Sequence, residues 1–376
     1  MAGIYIHIPF CRQACTYCNF HFSTSLALKD QLLNAIEEEI ILTASAMPIA
    51  ETIETIYIGG GTPSLLNAEE VGSLLKTIRQ RFTINEHAEF TLEANPDDIK
   101  ENLLKQWKQV GINRLSLGLQ SFDDAELKWM NRAHTAAESL QSITLIQQAG
   151  LNNFSVDLIY GSPLQSNEQL LENLQYIINK NIPHVSAYAL TVEPKTVLAK
   201  MISQHATQPV DEAHQAAQFE ILVNKLEKAG YQQYEISNFS KPDYRSKHNS
   251  SYWQGKPYYG FGPAAHSFNG KNIRRWNISN NALYIKSLAN KVIPFEEEIL
   301  TDIERQNEYV MISLRTAEGI NLDKIAEDFG DENATYILEK ASAFLAAEKL
   351  IIFEQNITLS KSGKFFADGI AASLFL

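Results

Sequence analysis

The chain reads as an α/β protein: a partial (β/α)6 barrel of the TIM type, an irregular extension, and a small winged-helix-like unit at the C-terminal end. Three observations predict it. Six short β-rich apolar runs alternate with segments whose apolar residues recur at helical spacing, the pattern of a parallel sheet with right-handed crossovers. Polar residues and glycines gather at the ends of those runs, the edge where parallel α/β folds collect their chemistry. Past about residue 233 the alternation stops, and from Thr301 a compact series of helices and a hairpin replaces it. Six units are too few to close an eight-stranded barrel; an open doubly wound sheet is the alternative. The expected division is therefore 1–232 for the barrel, 233–300 for the extension and 301–376 for the terminal unit.

The first run, Ile4–Ile8, leads into Cys11-Arg-Gln-Ala-Cys15-Thr-Tyr-Cys18, which contains every cysteine of the chain. The later runs are Thr55–Ile58, Glu89–Glu93, Arg114–Leu119, Asn153–Tyr160 and His184–Val192. Between them the spacing predicts helices over Lys29–Ala46, Ala68–Arg81, Asp98–Val110, Ala136–Ala149, Glu168–Asn179 and Asp211–Ala229. Leu32, Ile36 and Ile40 share one face of the first, and Val71, Leu74, Leu75 and Ile78 one face of the second. Gly59-Gly60-Gly61-Thr62, Glu93 and Gln120 fall at run ends, whereas Asp157 lies inside its run. From Tyr234 to Trp276 aromatic residues, glycine and histidine dominate and periodicity is weak, so this stretch is expected to wrap irregularly near the barrel mouth. A helix over Ala282–Ala289 follows. The terminal unit reads as helices Asp302–Arg315, Leu322–Phe329 and Glu332–Glu348, then strands Leu350–Phe353 and Ile357–Leu359 about a turn at Glu354-Gln355-Asn356.

A net charge of −12 argues against nucleic-acid binding, which needs a basic footprint. No apolar run is long enough to span a bilayer, and the N-terminal residues lack the layout of a signal peptide. Three clustered cysteines without partners elsewhere point to a reducing compartment, so a cytoplasmic location is expected.

The cysteine spacing is C-x3-C-x2-C on one loop after a strand. Three thiolates so placed hold three corners of a [4Fe-4S] cluster, for which four are usual. The chain has no fourth, so one iron stays open to an outside ligand, as a catalytic zinc keeps an open position. Zinc with His7 or His21 as fourth ligand is the competing reading, since thiolates suit both. The glycine run lets backbone approach a ligand closely. Glu93 supplies a rim carboxylate, Gln120 a turn amide and Arg132 a partner for a carboxylate. A carboxylate such as Asp157 inside an apolar strand is costly unless it is paired or meets a ligand.

Together, Tyr5-x-His7-x-Pro9-Phe10-Cys11-x3-Cys15-x2-Cys18, Gly59-Gly-Gly-Thr-Pro63, Leu117-Gly-Leu-Gln120-Ser-Phe and Asp157-Leu-Ile-Tyr-Gly161 resemble the radical S-adenosylmethionine proteins of the HemN/HemW group. Ser360-x2-Gly363 with Ala367-Asp368 is similar to that group's terminal domain, so the likeness covers nearly the whole chain. The resemblance implies a radical S-adenosylmethionine barrel. It implies a [4Fe-4S] cluster on Cys11, Cys15 and Cys18, with S-adenosylmethionine chelating the open iron through its amino and carboxylate groups. Methionine contacts map to Gly60, Gly61, Thr62, Glu93 and Arg132, and ribose contacts to Gln120 and Asp157. Tyr5 and Tyr17 would flank the cofactor, with Ala189 beside the adenine.

Two functions diverge within the group. The oxygen-independent coproporphyrinogen III oxidases carry a further cysteine two residues past the cluster motif, where this chain has Phe20, and an arm ahead of the first strand, which here begins at Ile4. The haem chaperones carry C-x3-C-x2-C-x-F and H-N-x-x-Y-W, matched by His248-Asn249-Ser250-Ser251-Tyr252-Trp253. Both departures imply a chaperone that binds haem and hands it to an acceptor protein, without oxidase activity and with any membrane contact only through that acceptor. The residues agree: histidine is a common proximal haem ligand, and Tyr252 and Trp253 offer flat apolar faces. Arg245, Lys247, Arg274 and Arg275 are candidates for the propionates, and Gly260–His266 adds a second histidine. An aromatic-rich packing loop is the competing account of this stretch.

Overall fold

A computed structural model describes residues 2–46 and 51–376. The six predicted runs form six parallel strands, β1 (Ala2–Ile8), β2 (Ile53–Gly60), β3 (Ile84–Ala94), β4 (Arg114–Gln120), β5 (Phe154–Tyr160) and β6 (His184–Ala189), paired in chain order. Their alternation explains both the core and the site. One face carries Ile4, Ile6, Ile8, Ile56, Ile58, Leu92, Leu115, Leu117 and Val156, all buried in a single apolar cluster with the outer helices. The opposite face, two residues apart along each strand, carries Tyr5, His7, Tyr57, Glu93, Ser116, Asp157 and Tyr188. The barrel interior is thus polar by strand parity alone. The outer helices run over Lys29–Ala46, Ala68–Arg81, Glu101–Val110, Ala136–Gln148, Asn167–Asn179 and Glu212–Lys228. Several start with reciprocal caps, such as Asn67 with Glu70 and Thr135 with Glu138.

The extension is not irregular, which corrects the reading of Tyr234–Trp276. It supplies β7 (Gln232–Glu235), β8 (Asn238–Ser240), β9 (Tyr258–Phe261), β10 (His266–Phe268), β11 (Ile273–Asn277) and β12 (Phe295–Ile299), plus a helix over Lys247–Trp253. The sheet runs β12-β11-β10-β9-β1-β2-β3-β4-β5-β6-β8-β7. β9 pairs parallel to β1, with Tyr5 opposite Gly260, and β8 pairs antiparallel to β6. These strands are three to five residues long and mostly half-buried, too short to print an alternation on the sequence. β1 and β6 therefore each meet a later strand, and the barrel stays open.

The terminal unit has its own apolar core, including Val310, Leu314, Ile325, Ile337, Leu350 and Ile357. Three helices, Asp302–Leu314, Leu322–Phe329 and Asp331–Ala346, pack on a small antiparallel sheet of β13 (Ile320–Asn321), β14 (Leu350–Phe353) and β15 (Asn356–Leu359), the winged-helix-like layout expected. Arg315 ties this unit to the barrel through buried Glu235 at 3.2 Å. Among the described residues no helix is long and apolar enough to cross a membrane.

Candidate functional site

The cysteine loop is held by backbone at both ends. Cys11 N–H donates to Ser23 O at 3.0 Å, Ser23 N–H to Pro9 O at 2.8 Å, and Thr16 N–H to Met130 O at 3.0 Å. The glycine run packs directly beneath it. Gly61 N–H donates to Ile8 O at 2.9 Å and Thr62 N–H to Phe10 O at 2.6 Å. A Cβ on Gly61 would lie 2.6 Å from Phe10 O and 2.8 Å from Phe10 N, and Gly60 has φ +112°, so both positions require glycine.

The three thiols are free and half-buried, and all border one cavity of about 510 Å³ above the polar face of the sheet. Burial pushes Cys11 up to about 11 and raises Cys18. Binding to iron would release these protons, since the thiolate is the ligand. Arg132 Nη1 donates to Cys15 Sγ at 3.3 Å, and Nη2 to Asn95 Oδ1 at 2.7 Å and Gly118 O at 2.8 Å. Its buried Nε has no hydrogen-bond partner among the described residues. The zinc alternative loses His7 as a fourth ligand and keeps only one nitrogen of His21. His7 bonds Tyr5 Oη and His21 O through its two nitrogens, and His21 Nε2 bonds Asn281 Oδ1 at 2.7 Å. No three His, Cys, Asp or Glu side chains among the described residues converge on a single ion-sized point.

Every residue expected at the cluster and at S-adenosylmethionine lines this one cavity. Glu93 accepts from Tyr57 Oη at 2.7 Å and Gly60 N–H at 3.0 Å. Burial pushes it up to about 7, partly offset by the Tyr57 bond, and neighbouring Asp157 raises it further. Burial pushes Asp157 up to about 6, against the pull of Ser186, Arg114 and Arg132. Gln120 sits at φ +68° at the end of β4. Two half-buried carboxyl groups that resist ionisation, facing the cavity, suit a ligand that brings positive charge. The buried Arg132 Nε, with no partner, suits one that also brings a carboxylate. Ser116, Asn95, Tyr188 and Thr191 also line the cavity and were missed. The alternation within otherwise apolar runs was the signal for Ser116 and Tyr188.

A second cavity of about 1040 Å³ opens between β9–β11, the cysteine loop and the terminal unit. Tyr5, Asn19 and Phe20 border both cavities. Of the four residues expected at haem, Tyr252 and Trp253 line this space; His248 and Asn249 do not. His248 is 1% exposed, with Nδ1 bonded to Thr55 Oγ1 and Nε2 to Tyr252 Oη, each at 2.8 Å, and its ring stacked on Tyr57. Its helix closes the lower end of the barrel, where Glu89 accepts the Lys247 and His248 N–H groups at 3.2 and 3.1 Å. Burial, then nearby Arg114, pulls the His248 ring down to about 3. With both ring nitrogens hydrogen-bonded, the imidazole has no lone pair free for iron. Arg245 pairs with Glu318 and Arg275 with Glu297, while Lys247 reaches His87 O; of the four candidate cations only Arg274 lines the cavity.

An open parallel half-barrel with a three-cysteine loop over a glycine-edged polar cavity defines a class, the radical S-adenosylmethionine proteins. The Radical SAM superfamily profile matches residues 5–177, and the HemN C-terminal domain profile matches 300–366. The chain is 37% identical to the haem chaperone HemW of Bacillus subtilis over 88% of this chain and 87% of that one. It is 32% identical to the haem chaperone HemW of Mycobacterium tuberculosis over 99% and 94%, and 39% identical to that of Escherichia coli over 70% and 69%. The chain belongs to the HemW family of radical S-adenosylmethionine proteins. The solved coproporphyrinogen III oxidase (HemN) of Escherichia coli shares its fold, with a TM-score of 0.85 at 22% identity over 100% of this chain and 90% of that one.

Proposed function

We propose that this protein is a cytoplasmic haem chaperone, which takes up haem in the larger cavity and passes it to an acceptor protein, while the smaller cavity holds a [4Fe-4S] cluster and S-adenosylmethionine. The observation that carries the reading is the pair of adjoining but distinct cavities. The larger one is walled by Tyr252, Trp253, Phe268 and Phe20 and rimmed by lysine and arginine, of which Arg274 and Lys324 pair with Glu308 and Asp328 while Lys256 and Lys271 have no carboxylate partner among the described residues, chemistry that suits a flat apolar ring with two carboxylates. Phe20, 69% exposed at the shared wall, stands where the oxidases place a further cysteine.

Cys11, Cys15 and Cys18 would hold the cluster, and its open iron would supply a coordination position for S-adenosylmethionine. The chain's own residues do the rest. Arg132 holds Cys15 and keeps one guanidinium N–H for a carboxylate. Glu93 and Asp157 offer half-buried carboxyl groups whose ionisation a cationic ligand would favour. Gly60 and Gly61 let backbone pass under the loop without a side chain in the way.

The test is a haemin titration of the full chain together with an anaerobic assay containing S-adenosylmethionine, a reductant and coproporphyrinogen III. A stoichiometric Soret band with no decarboxylated product is expected. Multiple turnovers to protoporphyrinogen IX would replace the chaperone reading by the oxidase one.

A further inference from the structure

The larger cavity has three histidines on its wall, His7, His21 and His266. Their availability differs. His7 has both nitrogens bonded and its ring pulled down to about 4 by burial. His21 has Nε2 on Asn281 Oδ1, so only its other nitrogen is left. His266 is exposed to the cavity, and neither of its ring nitrogens has a partner among the described residues.

The surroundings of His266 look built to hold a ring in place. It starts β10, opposite Trp276 in the β10–β11 pairing, and its imidazole stacks on that indole with centroids 6.1 Å apart and planes 29° apart. The backbone behind it is closely packed. A Cβ on Gly260 would fall 2.0 Å from His266 O, so β9 and β10 touch there. The preceding turn is tied to the buried carboxylate of Glu39, which accepts from Gly262 N–H at 2.8 Å and from Asn277 Nδ2 at 2.6 Å. Burial, then the Arg274 guanidinium, lowers the His266 ring below its ordinary value, which keeps the nitrogen lone pair available at neutral pH. Lys256 and Lys271 line the same space and have no carboxylate partner among the described residues. A porphyrin ligated at His266 has anchors for its propionates within one cavity.

We infer that His266, not His248, presents the imidazole that ligates haem iron, and that His248 is a positioning residue that fixes the Tyr252 ring on the cavity wall. The inference rests on the haem-carrier reading above. Ligation here is a dative bond from the neutral imidazole lone pair to iron; no electron is transferred and no proton moves. His248 acts at a remove, through its bond to Tyr252 Oη and its stacking on Tyr57.

The experiment is a haemin titration of the full chain and of His266→Ala, His266→Gly, His21→Ala, His248→Gln and Thr55→Val, read by the Soret and visible bands, with circular dichroism melts to verify folding. His266→Ala should lose the parent's band pattern and bind haemin at least about tenfold more weakly. Millimolar imidazole should restore the pattern in His266→Gly, because the free ligand refills the vacated position. His21→Ala should keep the parent spectrum. His248→Gln and Thr55→Val should keep the band positions while melting earlier, and imidazole should change nothing in them. Thr55→Val guards against a His248 variant that fails to fold, since it removes one His248 bond and leaves the ring in place. A parent-like spectrum in His266→Ala would overturn the inference and leave the haem-carrier reading standing; so would imidazole rescue of a His248 variant or loss of the pattern in His21→Ala. Absence of any haemin binding by the parent chain would instead sink the haem-carrier reading, and this inference with it.

Discussion

Glu89→Gln tests how the helix carrying the histidine, tyrosine and tryptophan motif is held in the barrel. Glu89 and Arg114 are 3.8 Å apart, and their side chains are only 3% and 1% exposed. The same carboxylate accepts the first two helical N–H groups at Lys247 and His248, where the positive end of the helix favours an anion. The glutamine is nearly isosteric and still accepts a hydrogen bond, so packing is kept while the charge is removed. What remains is a buried guanidinium without its partner; Arg114 Nε and Nη2 already lack hydrogen-bond partners among the described residues. Breaking such a pair from one side costs about 3–5 kcal/mol, a large part of the roughly 5–15 kcal/mol that holds a typical domain. The assay is urea unfolding of the metal-free chain followed by tryptophan fluorescence, run beside Arg114→Met and the double variant. The double variant should be less destabilised than the sum of the singles by more than about 1 kcal/mol, because removing both partners leaves no orphan charge. A loss below about 1 kcal/mol in Glu89→Gln, or strict additivity in the cycle, would refute the claim that this pair anchors the helix.

Two further outcomes follow from the smaller cavity. Gly61→Ala should lower iron loading after anaerobic reconstitution to well under half of the parent's, since its Cβ would collide with the Phe10 backbone that carries the cysteine loop; iron counts equal to the parent's would refute the close approach. The stability contributed by Glu93 and Asp157 in the apo chain should fade as pH rises from about 4 to about 7, against the opposite slope from His7 and His248, whose rings burial pulls down to about 4 and about 3. Folding raises Glu93 from 4.5 to about 7 and Asp157 from 3.8 to about 6, so at these two groups the folded state binds more protons in that window and the advantage fades as they leave. The parent-minus-Glu93→Gln difference in melting temperature should shrink over the upper part of this window, and binding of S-adenosylmethionine should tighten over the same window in the parent; a difference indifferent to pH there would contradict the burial assigned to Glu93.

The fold of the first two hundred residues was legible because its strands are long and its helices amphipathic. Ala68–Arg81 and Lys29–Ala46 match the predicted spans, since one face of each must find apolar partners whatever the rest of the chain does. That the residues expected at the cluster and at S-adenosylmethionine converge was legible for a different reason: parallel strands deliver their C-terminal ends to one rim, so a linear pattern of polar run ends becomes a single cavity. What the sequence hid is long-range. Nothing local in Tyr258–Phe261 reveals that it pairs with β1, nor in Gln232–Ser240 that it caps β6, because strands of three or four residues draw their stability from the sheet they join. The inward placement of the motif histidine was hidden on the same ground. A histidine beside tyrosine and tryptophan reads as a ligand from its neighbours in sequence, yet Thr55, Tyr57 and Glu89, 159 to 193 residues away, decide that it faces inward.

The open barrel also explains why these two cavities adjoin. Six strands cannot close on themselves, so β1 and β6 would each present an unpaired row of backbone N–H and C=O groups. On the β6 side a short hairpin is enough to satisfy it. On the β1 side the chain adds β9 in parallel and then three antiparallel strands, which carries the sheet away from the barrel axis and brings β10 and β11 opposite the terminal unit. The space left between them is the larger cavity, and its boundary with the cluster cavity is Tyr5 on β1 together with Asn19 and Phe20 past the last cysteine. The strand that launches the cysteine loop is therefore also the strand on which the second cavity is built. A ligand in either cavity presses on the same three side chains, so the two sites share a wall by construction of the sheet.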